Sequence, residues 1–115
     1  MLKKKDGNIM LKWYKNLYIG ENAKKDHHKM IWKIKIKKKQ EDVYLITLAS
    51  NDKNILDIIE TSQLEQEIVR RNCPLIVGIA LGYADALELV QKIVEETYQT
   101  QGNVDIRKYL QVKSS

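Results

Sequence analysis

Eight lysines crowd into sixteen residues: Lys24, Lys25, Lys29, Lys33, Lys35, Lys37, Lys38 and Lys39, with Trp32 in their midst. Clustered lysines neutralise phosphates, and an indole stacks on a nucleobase. No arginine stands among them, although bidentate phosphate contact and base-edge recognition favour arginine. The segment therefore offers salt-sensitive, sequence-blind nucleic-acid binding, docking of an acidic protein face, or simply a solvated lysine-rich surface.

Other residues with chemical potential are weaker candidates. Ser50-Asn51-Asp52 and Gly82-Tyr83-Ala84-Asp85 follow apolar runs read below as strands. Loops beyond the carboxyl ends of parallel strands bind small anions, so Ser50, Asn51, Gly82 and Tyr83 are candidate ligand contacts. Neither loop has the dense glycines of a phosphate cradle, and helix capping accounts for both more simply. His27 and His28 are adjacent, so on a helix their rings diverge by about 100° and form no ligand pair by themselves. Cys73 has only those two histidines as candidate bases, and a small packed residue before Pro74 is the simpler account. Glu65, Glu67, Glu95 and Glu96 are read as solvated charge. No metal or cofactor motif is present.

The elements that would position these residues follow from hydrophobic periodicity. Residues 43–49 (VYLITLA) and 75–81 (LIVGIAL) are near-continuous apolar runs, as expected for strands covered on both faces. Ser50 to Asp52 read as caps of a helix over 52–60, and Leu64, Ile68 and Val69 extend helical spacing to Arg71. Tyr83, Ala86, Leu87, Val90, Ile93, Val94 and Tyr98 form one stripe of a helix over 83–99. Asn103 or Asp105 caps a short helical turn after it.

Earlier in the chain, Ala23, His27, Met30, Ile31 and Ile34 share one helical face, while Trp32 to Lys37 alternate as in a lysine-guarded edge strand. The helical face begins well before the alternation, and no Gly or Pro interrupts residues 23–38. A helix over 23–38 is therefore preferred, with Trp32 and Ile36 off its main stripe. Together these elements predict an α/β domain over 13–112 with a βαβα core. Strands 43–49 and 75–81 are expected to be parallel neighbours, completed by an edge strand from 13–19, 30–37 or 104–106, or by a partner subunit. Residues 1–12 read as a flexible basic leader, with Met10 an alternative start.

Charge divides the chain. Residues 1–40 hold 13 Lys against Asp6, Glu21 and Asp26, a net +10; residues 41–115 hold 7 Lys and Arg against 12 acids, a net −5. Such asymmetry points to an anionic partner for the first part. The longest apolar stretch is seven residues, Leu75 to Leu81, against the ~20 a membrane-spanning helix needs. No apolar region follows the opening lysines as in a secretory signal, and the single Cys73 suits a reducing compartment, so a cytoplasmic location is expected.

The strings WYKNLYIGE (13–21), VYLITLASN (43–51) and VGIALGYADALELV (77–90) resemble a family of short, functionally uncharacterised α/β proteins of about 105 residues from gut Firmicutes. The resemblance spans about residues 11–110. It implies a bacterial host, a helical basic segment and an atypical leader before Met10, and it carries no activity with it.

Function is thus expected in this order: a non-enzymatic protein-interaction or regulatory module, including a homo-oligomer; a sequence-nonspecific nucleic-acid accessory protein; a small-anion sensor or enzyme at the strand ends.

Overall fold

In a computed structural model, which describes residues 10–51 and 53–114, the apolar runs form the middle of a four-stranded sheet. Strand β1 spans Trp13–Ile19, β2 Val43–Leu48, β3 Leu56–Glu60 and β4 Ile76–Leu81, in the order β1-β4-β2-β3. Helix α1 spans His27–Lys35, α2 Glu67–Arg71, α3 Tyr83–Gln101 and α4 Ile106–Ser114; 3-10 turns at Glu21–Ala23 and Thr61–Glu65 precede α1 and α2. The mixed α/β class is as expected, and 13–19 supplies the edge strand.

Both faces of the sheet are covered, which is why its central strands carry so little polar sequence. Alternate residues of β2 point to opposite sides, and in β4 a register shift opposite Ile46 and Thr47 puts Val77 on the same side as Ala80 and Ile76 on the same side as Ile79. Ile46, Leu48, Val77 and Ala80, with Tyr14 and Tyr18 of β1, pack beneath Leu89 and Ile93 of α3 and Ile106, Tyr109 and Leu110 of α4. Val43, Leu45, Ile76 and Ile79 pack beneath Ala23, Met30 and Ile34, with Leu64 and Cys73 completing that layer.

Two expectations about the core are corrected. Strands β2 and β4 are neighbours, but they run antiparallel, with Val43 opposite Leu81 and Tyr44 opposite Ala80. The expected helix over 52–60 is strand β3, paired antiparallel to β2 from Tyr44–Glu60 to Leu48–Leu56. One local cause explains both. Asn51 Oδ1 accepts from the backbone N–H groups of Lys53 (2.8 Å) and Asn54 (3.0 Å), and Asp57 accepts from Ser50 N, Ser50 Oγ and Asn54 Nδ2. These bonds fold a turn instead of capping a helix. Ile55-Leu56-Asp57-Ile58-Ile59 fits either period over so short a run, and its β-branched content suits the hairpin partner of β2. Strands β3 and β4 both run opposite to β2, so the parallel crossover joins β3 to β4 across it.

Helix α1 is shorter than the expected 23–38. Lys37 takes a left-handed φ of 61°, Lys37 N donates to Ile34 O (3.1 Å) and Lys38 N to Lys33 O (2.8 Å). This is a Schellman stop, built here without the usual glycine. The alternating 30–37 stretch is therefore helix followed by a turn. Helix α3 runs two residues beyond the expected 99, and its buried stripe is rotated: Asp85, Ala86, Leu89, Ile93 and Thr97 face inward while Tyr83, Leu87 and Tyr98 are exposed. The rotation follows from Asp85, whose Oδ2 accepts from Leu81 N (3.0 Å) and pulls the first turn onto the strand end. Helix α4 extends the expected final turn, with Asp105 Oδ1 accepting from Lys108 N and Arg107 donating to Ala49 O (3.0 Å). Of the expected leader, residues 1–9 lie outside the described residues; the Lys12 carbonyl accepts from Ile76 N (2.8 Å) and so already belongs to the sheet edge.

Candidate binding surface

Helix α1 buries Met30 and Ile34 and half-buries His27 and Ile31, which leaves the opposite side to solvent. Lys29, Trp32 and Ile36 follow one another at intervals of three and four residues, the spacing of a single exposed helical face, and Lys25 is exposed in the turn just before the helix. Trp32 is 55% exposed and Ile36 48%, large fractions for side chains of this kind. Lys35 flanks them and places its ammonium 5.9 Å from the Trp13 ring centroid, at the outer limit of a cation–π contact. Lys24 pairs with Glu21 at 2.9 Å; the other seven lysines of the segment join no ion pair among the described residues.

The Schellman stop divides those lysines. Lys25, Lys29, Lys33 and Lys35 stay around the helix, while Lys37, Lys38 and Lys39 are turned toward the 3-10 segment and α2. There they line a pocket of about 470 Å³ with Ile34, Gln40, Thr61, Ser62, Leu64, Glu65, Glu67 and Arg70. Arg70 is only 8% exposed, donates from Nη2 to the Ile34 carbonyl at 2.9 Å, and has no carboxylate partner among the described residues. Burial pushes its guanidinium pKa below the ordinary value. Sequence patterning missed Arg70 and Thr61, because a buried arginine in a short helix carries no periodic signature.

The strand-end loops do not come together. Because β2 and β4 are antiparallel, Leu48 lies beside Leu75, whereas Gly82 N bonds to Asp42 O, at the other end of the sheet. Ser50 and Asn51 are engaged in the β2–β3 turn and border a hollow with Arg107, while Tyr83 meets Tyr44 edge-on at 5.6 Å between centroids. Ser50 and Asn51 therefore lie at one end of the sheet and Gly82 and Tyr83 at the other, so the four do not line one site. His27 and His28 lie with ring centroids 4.0 Å apart beside β1, and Cys73 is buried in the core beneath α1 with its thiol pKa raised by burial. Among the described residues, no group of three His, Cys, Asp or Glu side chains is arranged to hold a metal ion.

The densest polar cluster is elsewhere, and it corrects the reading of Glu96 as plain solvated charge. Glu96 Oε2 accepts from Tyr18 OH (2.6 Å), Tyr109 OH (2.6 Å) and Lys113 Nζ (2.9 Å), and Lys113 also donates to Tyr18 OH (2.8 Å). Burial pushes the Glu96 carboxyl up, but the bonds from Tyr109, Tyr18 and Lys113 outweigh it and bring the pKa down to about 2. Burial and then Glu96 push the Tyr18 phenol far above its ordinary value. A phenol held protonated on a carboxylate held ionised is a fastening between β1, α3 and α4. It supplies neither a base nor a nucleophile near neutral pH.

No protein-family model, curated protein or solved structure matches the chain. No helix among the described residues is long and apolar enough to cross a membrane.

Proposed function

We propose that the chain is a non-enzymatic interaction module whose working surface is the outward face of α1, and that its partner is an acidic protein segment. The observation that carries this reading is the pair Trp32 and Ile36, exposed one turn apart and flanked by lysines that join no ion pair among the described residues. An apolar centre with a charged rim is the anatomy of a docking patch, and the lysine rim selects carboxylates opposite it. Ile36 weighs toward protein over nucleic acid, since an aliphatic side chain offers a base no stacking plane.

A second reading, sequence-blind nucleic-acid binding, draws on the seven lysines of the segment that join no ion pair among the described residues. One experiment separates the two. Solution mass by light scattering and tryptophan fluorescence are followed at low and high salt, with an acidic amphipathic helical peptide and, separately, with a random-sequence DNA duplex. Saturable peptide binding that Trp32→Ala weakens about tenfold, as expected for an aromatic anchor, supports the docking reading. A shift with the duplex alone, reversed by salt, replaces it with the nucleic-acid reading. No response to either overturns both.

A further inference from the structure

The pocket beside the α1 stop is a separate site, and we infer that it binds a small organic phosphate. Its wall holds Arg70, nine-tenths buried and without a carboxylate partner among the described residues; the nearby Glu67 is taken by Arg71 at 2.6 Å. A buried guanidinium is expensive unless its charge is met and its N–H groups are used. Only part of that requirement is satisfied: Nη2 donates to Ile34 O, but Nε is buried with no hydrogen-bond partner among the described residues. Thr61 Oγ1, of a residue in the same wall, is also buried and without a hydrogen-bond partner among the described residues. Two orphaned polar groups closed within the wall of one cavity mark it as the side from which an outside acceptor would reach them, once that wall shifts to admit it.

A purely structural role for Arg70, tying the end of α1 to α2, accounts for one of its five N–H groups and for nothing at Thr61. It leaves the lysines unexplained as well. Lys37, Lys38, Lys39 and Arg70 against Glu65 and Glu67 give the lining a net +2. A phosphate monoester carries about −1.5 to −2 near neutral pH, so it fits that charge better than a carboxylate does. The volume of about 470 Å³ lies within the range of small-molecule sites, roughly 300–1,000 Å³, and leaves room for an organic body over Ile34 and Leu64. Guanidinium and ammonium groups supply the charge-assisted bonds such a phosphate requires.

The site is independent of the Trp32 face, and its test keeps the two apart. Calorimetric titration uses inorganic phosphate, a hexose phosphate and a nucleoside 5′-monophosphate, with acetate at matched ionic strength as control. At least one organic phosphate is expected to bind saturably and more tightly than inorganic phosphate. Arg70→Gln should weaken it about tenfold or more, the worth of one charge-assisted contact. Because Arg70→Gln could compromise folding, the exposed triple variant Lys37→Gln, Lys38→Gln, Lys39→Gln and the near-isosteric Thr61→Val are measured too, and each should weaken binding severalfold. Trp32→Ala should leave it unchanged. Absence of saturable binding, equal binding of acetate, or affinity untouched by both the triple variant and Thr61→Val would overturn the assignment.

Discussion

Gly20 and Asp85 occupy the same small volume: a Cβ placed on Gly20 would overlap the Asp85 carboxylate, whose Oδ2 is bonded to Leu81 N. The Gly20 backbone sits at φ −63° and ψ 153°, where any residue is comfortable. At such a position Gly→Ala ordinarily stabilises by a few tenths to about 1 kcal/mol through the unfolded chain. Here overpacking against a buried carboxylate reverses the sign. Gly20→Ala is expected to destabilise by about 1–3 kcal/mol in urea unfolding. Asp85→Ala also destabilises, since Leu81 N loses its acceptor, but Gly20→Ala should cost less in that background than in the wild type. Equal costs in the two backgrounds would show that the two residues do not compete for space.

The Glu96 fastening makes stability depend on acid. The carboxyl titrates near 4.5 when free and is brought down to about 2 in the fold, chiefly by bonds from Tyr109, Tyr18 and Lys113 that outweigh burial. A depressed carboxyl contributes stability that is fully present above the free value and is lost as pH falls from there through about 2. Glu96→Gln should therefore cost about 1–2 kcal/mol at neutral pH, a figure discounted because both Glu96 and Lys113 are about one-third exposed. The difference between variant and wild type should shrink toward the acid end of that window. Urea unfolding near neutral pH and near pH 3 reads it; a constant difference would mean that the bonds do not depend on the charge.

Much of this fold was legible because its strongest signals are local and periodic. The runs 43–49 and 75–81 could only be covered strands, and 83–99 could only be a helix with polar residues along one side. The direction of β4 relative to β2 was not legible, because it depends on whether Ser50 to Asn54 cap a helix or close a hairpin, and serine, asparagine and aspartate serve both. The rotation of α3 was hidden by Asp85, a polar residue buried for the sake of one backbone bond. For the surface, Trp32 and Ile36 declared themselves by standing off the apolar stripe. The Arg70 pocket could not, since it joins residues 34–40 to 61–70 through tertiary packing that no spacing encodes.

Cys73 should behave as a core residue. Burial raises its thiol pKa above the ordinary value, with Arg70 and Lys12 pulling weakly the other way, and its side chain lies beneath α1 with Met30 and Leu64. Thiolate is the reactive species, so both effects slow attack on an external disulfide. In the folded protein, reaction with an aromatic disulfide reagent at mildly alkaline pH should be slower than in urea by about two orders of magnitude, and its rate should track unfolding of the layer under α1. Fast labelling of the native chain would place Cys73 at an accessible, activated site instead.

Lys37 carries a cost that the Schellman stop imposes. Its φ of 61° lies in the left-handed region, which costs an L-residue other than Gly, Asn or Asp roughly 1–2 kcal/mol. The stop itself is well made, with Lys37 N on Ile34 O and Lys38 N on Lys33 O, so the strain is local and glycine would relieve it. Glycine also loses more backbone entropy on folding, which offsets part of the gain. Lys37→Gly is expected to stabilise by about 0.5–1 kcal/mol, whereas Lys37→Val should destabilise by a similar amount, because a β-branched residue tolerates positive φ least. If Lys37 is present for the charge it brings to the Arg70 pocket, Lys37→Gly should raise the unfolding midpoint while weakening organic phosphate binding. That opposite movement in a single variant is what a binding residue held in a strained backbone produces, and a residue serving the turn alone would change stability without changing affinity.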